Sequence, residues 1–551
     1  MQNGFLPFSQ PIRAFAKFCG LFSLCFFLVV GCNNNQSSTT VDSVASESGD
    51  RVTVGMTIRP RTLDPADSYE IAGLNAIYNL GDTLYTYEPG TTELTPLLAT
   101  EMPTVSEDGL TYTIPLREGV VFHDGTAFDA EAMAFSLQRF MENGGKPSFL
   151  LSDVVDSVKA TGDLELTIQL KQAFAAFPAL LAFTGTAAVS PEAYSIGGGE
   201  FNPNIFVGTG PYQLAEFSSD ALRFEPFADY WGDKPANNGV DMQIYGDNSA
   251  NLFNAFRTGA VDIAYQSLDP DQISNLLEGA ESDEWQAIEA PGTAVNFLVL
   301  NRQQPPLDQL EVRQAIASIM NRGLIRDRVF QGQADPLYSL IPTAFEVSEP
   351  TFEEAYGDAN PEEAKELLSK AGFSADNPVT VEVWYPSSST PRSLAASTLK
   401  AYADQELGGI IQFEPKAVEG ATFFKNVADG IYPATLSNWY PDFLDADNYI
   451  QPFLACNKGS EAEGCTEGSA QNQGSFYYSD RMNKLIAAQR QETDAAAREE
   501  IFAEIQEILA EDVPYVPLWQ NKEYLFVQSN LEGVTLNPAQ SIPFWQIEKA
   551  N

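Results

Sequence analysis

Alternation of polar and apolar side chains recurs along this chain and limits its possible folds more than any other feature. The pattern is clearest in three short segments, VTVGMTI (52–58), LTYTIPL (110–116) and LELTIQL (164–170). Successive side chains of a strand point to opposite faces of a sheet, so alternation is typical of a strand with one buried face. We therefore predict strands at these three places.

Helical periodicity marks other parts of the chain. Residues 307–330 place apolar side chains near one face of a helix, and a long helical pattern covers residues 481–509. Residues 360–373 begin with an Asn-Pro pair, which suits a helix cap and first turn, and end near Gly372 as a stop signal. Short strands mixed with helices predict an α/β or α+β fold.

Size and charge narrow the class of protein. The chain has 551 residues, of which 44% are hydrophobic and 11% aromatic, so we expect a folded protein with two or more domains. It has 75 acidic and 31 basic residues, a net charge of −44. Such a surface repels phosphate backbones and anionic lipid headgroups, so we expect no nucleic-acid binding and no electrostatic attachment to membranes.

The N-terminus predicts export. Residues 1–17 contain Arg13 and Lys17 but no acid, and the apolar run that follows, residues 18–31, is too short for a comfortable membrane span. Cys32 directly follows VVG, which resembles a bacterial lipobox whose cysteine is lipidated; the alternative is an ordinary signal peptide with an incidental cysteine. We predict a lipoprotein signal peptide at 1–31, a flexible tether at 32–50, and a protein of the periplasmic space that is lipid-anchored to a membrane.

Cysteine usage agrees with this compartment. Cys19 and Cys25 would leave with the signal peptide and Cys32 would be lipidated. Only Cys456 and Cys465 remain, with eight residues between them, and we expect one disulfide between them outside the cytoplasm. The alternative is two free thiols. No histidine or further cysteine is near, so we expect no metal site there.

One stretch, SNWYPDFLDADNYIQPFL (437–454), combines acids with aromatic residues. It contains Asp442, Asp445 and Asp447 but no lysine or arginine. Burying a carboxylate among apolar side chains costs free energy unless the carboxylate is paired. The stretch therefore raises the question of which cation neutralises these acids.

Five motifs occur in order along the chain and together point to a family. They are RPRTLDPADSYE (59–70), DGLTYTIPLREGVVFHDGTAFDAEAMAFSLQRF (108–140), GTGPYQL (208–214), ADYWGDKP (228–235) and PPLDQLEVRQAIASIMNRGLI (305–325). This series resembles the extracytoplasmic solute-binding proteins of the oligopeptide, dipeptide and nickel class, family 5, which serve ATP-binding-cassette importers. The resemblance extends from about residue 52 to about residue 545.

The resemblance implies an α/β fold of periplasmic-binding-protein type, a two-lobed clamp with hinge strands and an extra domain in the first lobe. The expected boundaries are 51–291 for the first lobe, with the extra domain at about 95–200, then 292–514 for the second lobe and 515–551 for a return to the first. The two crossings between lobes are expected at residues 290–301 and 513–520.

The resemblance also implies a ligand site. Peptide-binding members of the family have a W-x-x-D-x-x-[DE] pattern, which Trp439, Asp442 and Asp445 match here. The residue that corresponds to Asp442 binds the peptide's α-ammonium group, and Trp439 and Tyr440 would form the adjoining wall. The alternative is that the acids cap turns or a helix start, and we prefer it for Asp445 and Asp447. A calcium loop lacks the required Gly and Glu.

Further contacts are expected on both lobes. Dipeptide-binding relatives place an arginine in the loop that reads WYPSSSTPRSL (384–394) here, and Tyr385 occupies that position in our register. Arg392 is near but is expected to begin the following helix. On the first lobe, the loop around Tyr69 and Glu70 is the expected counterpart.

The predicted function is capture of peptides and their delivery to the permease subunits of an importer, by a monomer without cofactor or catalytic residues. One alternative is a carrier of a nickel complex, haem or another cationic solute; His123, the single histidine of the sequence, argues against nickel and haem and is expected to have a structural role. Alternatives from other classes are a periplasmic hydrolase, for which no G-x-S-x-G or H-E-x-x-H motif is present, and a chaperone.

Overall fold

The computed structural model describes residues 51–246, 248–265 and 268–550. The predicted signal peptide, the tether and Cys32 lie outside the described residues, and so their predictions stay open. Among the described residues, no helix is both long enough and apolar enough to cross a membrane.

The strands are short except for two long ones, β12 and β19. The described residues form β1 (Val52–Met56), β2 (Tyr85–Tyr87), β3 (Leu94–Pro96), β4 (Thr104–Val105), β5 (Thr111–Pro115), β6 (Val155–Gly162), β7 (Glu165–Leu170), β8 (Tyr212–Phe217), β9 (Ala221–Pro226), β10 (Val240–Ile244), β11 (Ile263–Tyr265), β12 (Trp285–Leu300), β13 (Ala334–Pro336), β14 (Val379–Pro386), β15 (Ile411–Val418), β16 (Ala434–Trp439), β17 (Lys458–Ser460), β18 (Gly464–Glu467), β19 (Tyr515–Gln528), β20 (Leu531–Glu532) and β21 (Glu548–Lys549). The strands β1, β5 and β7 fall inside the three segments that alternation predicts.

The α-helices lie between these strands along the chain. The described residues form α1 (Ile71–Leu80), α2 (Ala130–Glu142), α3 (Phe149–Ser152), α4 (Phe177–Leu180), α5 (Ser249–Arg257), α6 (Pro270–Glu281), α7 (Leu310–Ile319), α8 (Arg322–Val329), α9 (Thr351–Tyr356), α10 (Pro361–Lys370), α11 (Thr390–Leu407), α12 (Gly420–Ala428), α13 (Gln451–Leu454), α14 (Ser469–Asn472), α15 (Asp480–Gln491) and α16 (Ala495–Asp512). Three 3₁₀ turns occupy Thr184–Thr186, Ala446–Tyr449 and Phe544–Gln546.

Two long helices of the sequence prediction are each broken in the structure. The 307–330 pattern forms α7 and α8, because Asn321 between them caps α8 by accepting a hydrogen bond from the amide of Leu324 at 2.8 Å. The 481–509 pattern forms α15 and α16, where Asp494 caps α16 through the amide of Ala497 at 3.0 Å. Apolar periodicity continues across each cap, and so it does not reveal the break.

One mixed sheet carries both lobes. Its strand order is β15-β14-β16-β12-β19-β11-β1-β10-β9-β8, with β13 added on β19. The β14–β16 side packs into one large core with α7 to α11, α15 and α16, which defines the second lobe. The β1 and β8–β11 side packs into separate cores with α1, α5 and α6, which define the first lobe.

The strands β12 and β19 pass from one lobe to the other as an antiparallel pair. Residues 285–291 pair with 522–528 in the first lobe, and residues 295–299 pair with 515–520 in the second, with a register shift between Pro291 and Val295. At this crossing Gly292 lies so close to the partner strand that a Cβ there would be 2.1 Å from the carbonyl oxygen of Asn521. Two adjacent strand crossings are a geometry that permits hinge motion between lobes.

An additional unit lies within the first part of the chain. Strands β4, β5, β7 and β6 form a separate antiparallel sheet, which α2 covers to form its own hydrophobic core. Phe443 of the second lobe contributes to this core, and its ring lies 5.9 Å from that of Phe174. The cleft between the lobes is therefore bounded on one side by this unit.

Two features of the sequence have structural roles. Cys456 and Cys465 are joined by a disulfide beside the β17–β18 hairpin. His123 is held by backbone, with Nε2 3.1 Å from the carbonyl of Gly210 and Nδ1 accepting from the amide of Gly208 at 3.3 Å. Burial lowers the pKa of His123 to about 4, so the ring is neutral at pH 7, and its predicted structural role is confirmed.

Candidate functional site

The acidic stretch 437–454 is shaped by a buried amide. After β16 ends at Trp439, the chain turns and enters the 3₁₀ turn Ala446–Tyr449. The side-chain oxygen of Asn448 accepts two hydrogen bonds at 2.9 Å, one from the indole N–H of Trp439 and one from the backbone amide of Asp442. Because Asn448 is only 3% exposed, it fixes both residues from behind.

Two of the three acids in this stretch have cationic partners from another helix pair. Asp445 accepts two hydrogen bonds from the guanidinium of Arg498, at 2.6 and 2.8 Å, and also caps the 3₁₀ turn by accepting from the amide of Asp447 at 2.8 Å. Asp447 is buried, lies 3.2 Å from Nε of Arg490, and accepts a hydrogen bond from Gln489. These contacts neutralise Asp445 and Asp447 within the fold and indicate a structural role for both residues.

Asp442 differs, because no described lysine or arginine forms an ion pair with it. Its half-buried carboxylate accepts a hydrogen bond from the hydroxyl of Tyr69. Burial raises the pKa of Asp442 above its ordinary value, while the hydrogen bonds of Tyr69 and Asn448 act in the opposite direction. The carboxylate of Asp442 can therefore bind a cation, and it costs free energy to keep this carboxylate ionised without one.

The Tyr69 hydrogen bond joins the two lobes. Tyr69 precedes α1, and its ring packs edge-to-face on Phe149 at 6.0 Å. The neighbouring Glu70 is fixed at the start of α1, since its carboxylate accepts from the amides of Arg61 at 3.0 Å and of Tyr69 at 3.2 Å. The first-lobe loop and the Asp442 turn therefore face each other across the cleft.

Three cavities meet around Asp442 and Tyr440. A small one of about 90 Å³ has Tyr440, Asp442 and Ile71 in its wall, and a larger one of about 720 Å³ has Asp442 and Trp439 in its wall. A third, of about 480 Å³, has Tyr440, Ile71 and Glu70 in its wall. Asp442 thus separates the first two cavities, and Tyr440, which is 46% exposed, separates the first from the third.

Arg392 supplies a positive charge close to Tyr440. It lies in the first turn of α11, donates from Nη2 to the side-chain oxygen of Asn438, and has a buried Nε without a hydrogen-bond partner in the described part of the chain. Burial lowers its pKa, while the Tyr440 hydroxyl acts in the opposite direction. Among the described residues no carboxylate pairs with Arg392, so it has capacity for an anion.

Glu523 supplies a second unpaired carboxylate, on the hinge strand β19. Its oxygen accepts from the side-chain amide of Gln540 at 2.9 Å, and burial raises its pKa to about 7. The adjacent Lys522 is engaged elsewhere, 2.6 Å from Glu289. Asp442 and Glu523 thus line the cleft and Arg392 lies near Tyr440, and none of the three has an ionic partner among the described residues.

The family model of the bacterial extracellular solute-binding proteins, family 5, matches residues 93–461. This chain belongs to that family. The family consists of solute-binding proteins rather than enzymes, and its members serve ATP-binding-cassette importers outside the cytoplasm.

Two curated relatives match most of this solute-binding protein. The dipeptide-binding protein of Escherichia coli (strain K12) is 26% identical over 510 residues, 87% of this chain and 90% of the relative. The glutathione-binding protein GsiB of the same strain is 27% identical over 455 residues, 81% of this chain and 84% of the relative.

The fold of this solute-binding protein agrees with solved structures. HbpA2 from Haemophilus parasuis has a TM-score of 0.78 at 22% identity, with 91% of this chain and 100% of that chain covered. The prediction of a two-lobed α/β clamp is thereby confirmed.

Most residues predicted for the site lie together in this family 5 protein, and one does not. Asp442, Trp439, Tyr440 and Glu70 line cavities at the cleft, and Tyr69 donates a hydrogen bond to Asp442. Tyr385, in contrast, is 7% exposed in the core of the second lobe, and its hydroxyl lies 3.2 Å from that of Ser393.

The placement of Tyr385 corrects its predicted contact with ligand. Tyr385 lies at the end of β14, on the strand face that turns toward the core, whereas Arg392 begins the next helix and reaches the neighbourhood of Tyr440. The burial of Tyr385 therefore does not support its predicted contact with ligand, and ligand contact by the rest of this loop stays a prediction. Glu523 gave no motif signal, because its exposure to the cleft depends on the register of β19.

Proposed function

We propose that this solute-binding protein captures peptides in the cleft between its lobes and delivers them to the permease subunits of an importer. The single observation that carries the proposal is the carboxylate of Asp442, half-buried at the meeting point of two cavities and without a cationic partner among the described residues. The names of the two curated relatives support a peptide as the ligand.

The α-ammonium group of a peptide suits Asp442. An ammonium group offers three donors, and a carboxylate that already accepts from Tyr69 still has lone pairs for it. In a cleft with little water, a charge-assisted hydrogen bond of this kind is stronger than in solvent. The indole of Trp439, held by Asn448, and the ring of Tyr440 form apolar walls beside the acid.

Arg392 suits the opposite end of a short peptide. Its guanidinium has no carboxylate partner among the described residues, and planar guanidinium groups bind carboxylates with two parallel hydrogen bonds. We infer that Asp442 and Arg392 select free peptides by their two charged ends, whereas longer peptides would depend on Asp442 and on backbone hydrogen bonds.

A peptide accounts for the site better than a metal complex does. The single imidazole of the sequence, His123, is bound on both nitrogens by the backbone of Gly208 and Gly210. It is therefore committed to the fold. Asp442 can accept hydrogen bonds from an ammonium group and Arg392 can donate to a carboxylate, and these two groups match the ends of a peptide.

The same proposal covers location and assembly. We infer that a lipid on Cys32 anchors the protein to a membrane on its periplasmic side, that residues 32–50 act as a flexible tether, and that the protein works as a monomer. The protein releases the bound peptide unchanged, because the role of the protein is transport.

Mass spectrometry of compounds that co-purify with the protein tests the proposal first. We expect short peptides with free N-termini. Calorimetry then compares the most abundant peptide with its N-acetylated form, which has no α-ammonium charge, and with its amidated form, which has no carboxylate. The acetylated peptide should bind about 30-fold more weakly or worse, in line with the roughly 2–5 kcal/mol lost when one partner of a desolvated charge pair is removed.

Two results would contradict the proposal. Recovery of non-peptide compounds alone, together with no heat on titration of peptides, would reject peptide capture. Equal affinity for free and acetylated peptides would reject the ammonium role of Asp442 while leaving capture of peptides intact.

A further inference from the structure

The cavity of about 480 Å³ beside Tyr440 extends the candidate site along the hinge strand β19. Its size lies within the range of about 300–1,000 Å³ that is usual for small-molecule sites. Tyr440, Ile71 and Gln540 line both this cavity and the small one that contains Asp442. A ligand with one end at Asp442 can therefore have another part in this cavity.

Most of the wall is apolar and comes from both lobes. The apolar side chains that contribute are Ile58, Ile71, Leu268, Ile273, Phe330, Tyr440, Tyr524 and Phe526. Such walls hold the methylene stem of a long side chain while a polar tip finds a partner.

The charged groups of this wall are already engaged, with one exception. Glu70 accepts from two backbone amides, and Lys522 lies 2.6 Å from Glu289 and 3.8 Å from Asp335. Within the described ranges, Glu523 has only the neutral amide of Gln540 as its partner, at 2.9 Å.

The environment of Glu523 disfavours a free negative charge. Burial raises its pKa to about 7, and no charged group is among the causes of that shift. The pKa of the Tyr440 hydroxyl is raised mainly by burial and further by the negative charge of Glu523. A cation placed in this cavity would relieve the cost of ionising Glu523.

We propose that Glu523 binds a second cationic group of the same ligand, so that the cleft prefers peptides with a lysine or arginine side chain. This inference rests on the proposed capture of peptides and names the class of peptide. Asp442 takes the α-ammonium, the apolar wall takes the aliphatic stem, and the side-chain cation pairs with Glu523.

The test is a lysine scan by calorimetry. Trialanine is compared with three tripeptides that carry one lysine at the first, second or third position, and each is matched with norleucine at the same position, which keeps the aliphatic stem and removes the charge. The proteins are wild type, Glu523→Gln, and Glu284→Gln as a control with the same charge change at an exposed residue. Glutamine keeps a carbonyl oxygen for the amide of Gln540, so the fold should persist.

We expect wild type and Glu284→Gln to prefer lysine over norleucine by about tenfold or more at one position at least. Glu523→Gln should lose this preference and keep its affinity for trialanine within about threefold. Equal binding of lysine and norleucine peptides by wild type at every position would overturn the inference, and so would an unchanged lysine preference in Glu523→Gln.

A separate measurement distinguishes this inference from the proposed function. If no tripeptide binds to wild type, the compounds that co-purify with wild type and with Glu523→Gln are compared by mass spectrometry. Loss of cationic compounds from the variant alone would support the role of Glu523 although peptide capture has failed. Identical compounds in both proteins would overturn it.

Discussion

Two parts of one short acidic stretch have opposite environments. Asp445 and Asp447 receive cations from the region of α15 and α16, through Arg498 and Arg490. Asp442, three residues before Asp445, faces the cleft without such a partner in the described part of the chain. A carboxylate that the chain itself neutralises contributes to the fold, whereas one that it leaves without a cation is available to a ligand.

The largest expected effect tests the structural side of this comparison. Arg498→Met keeps the apolar stem of Arg498 but leaves Asp445, which it binds through two hydrogen bonds, without a cation. The side chains of Arg498 and Asp445 are 17% and 15% exposed, so the loss of unfolding free energy should approach but not exceed the roughly 3–5 kcal/mol that is typical when one partner of a buried pair is removed. Chemical denaturation followed by circular dichroism measures the change.

A surface pair provides the control for this variant. Arg481 pairs with Glu504 at 2.8 Å, but its side chain is 62% exposed. Arg481→Met should therefore change the unfolding free energy by no more than about 1 kcal/mol. Equal losses in the two variants would contradict a structural role that is particular to Asp445.

The second effect concerns the opposite charge in the cleft. Arg392→Met should weaken the binding of short peptides by about 2 kcal/mol, because their carboxylate loses its cationic partner. C-terminal amidation of the peptide should weaken binding to wild type by a similar amount and have no further effect in the variant. Calorimetry with the free and amidated forms measures both, and a full additional loss on amidation in the variant would place the carboxylate elsewhere.

A smaller effect tests the cost of leaving Asp442 without a cation. Because burial raises the pKa of Asp442 in the folded protein, its ionisation destabilises the fold as pH rises above the ordinary pKa of an aspartate. Asp442→Asn should thus match wild type near pH 4 or below and unfold at a temperature about 1–2 °C higher than wild type at pH 8. Scanning calorimetry without added peptide measures this, and a lower transition temperature for the variant at pH 8 would contradict it.

A pH effect of similar size follows from Glu523. Its pKa is raised to about 7 by burial, so ionisation costs stability as pH rises from about 4.5 to 7, and the cost is constant above that. The transition temperature of Glu523→Gln, measured relative to wild type, should rise by about 2–3 °C over this interval. Glu284→Gln should show no such pH dependence; a parallel change in this control would mean that the effect reflects net charge alone.

The sequence predicts the strands and the overall clamp but not the points at which long helices break. Alternation locates β1, β5 and β7, and motif order identifies the two-lobed clamp. The breaks at Asn321 and Asp494 are hidden because the apolar period continues past each cap. Asn and Asp are residue types that favour helix caps, but they also occur inside helices, so their presence alone does not locate a break.

In the candidate site, residues close together in sequence were predictable, whereas contacts between distant residues were not. Trp439 and Asp442 were predicted as ligand contacts from one motif of the family resemblance, and both line the larger cavity. The partners of Asp445 and Asp447 come from residues more than 40 positions away, and such contacts are set by packing of whole elements. No motif signal marks Arg392 or Glu523, the two further contacts that we propose, because their positions depend on a helix start and on a strand register.

The most direct measurement is a thermodynamic cycle that combines Asp442→Asn with N-acetylation of the bound peptide. If the carboxylate of Asp442 binds the α-ammonium, either change alone should weaken binding by roughly 2–5 kcal/mol, and both together should weaken it by little more than one. Losses that add fully would show that the acid and the ammonium act independently, and would contradict the central claim.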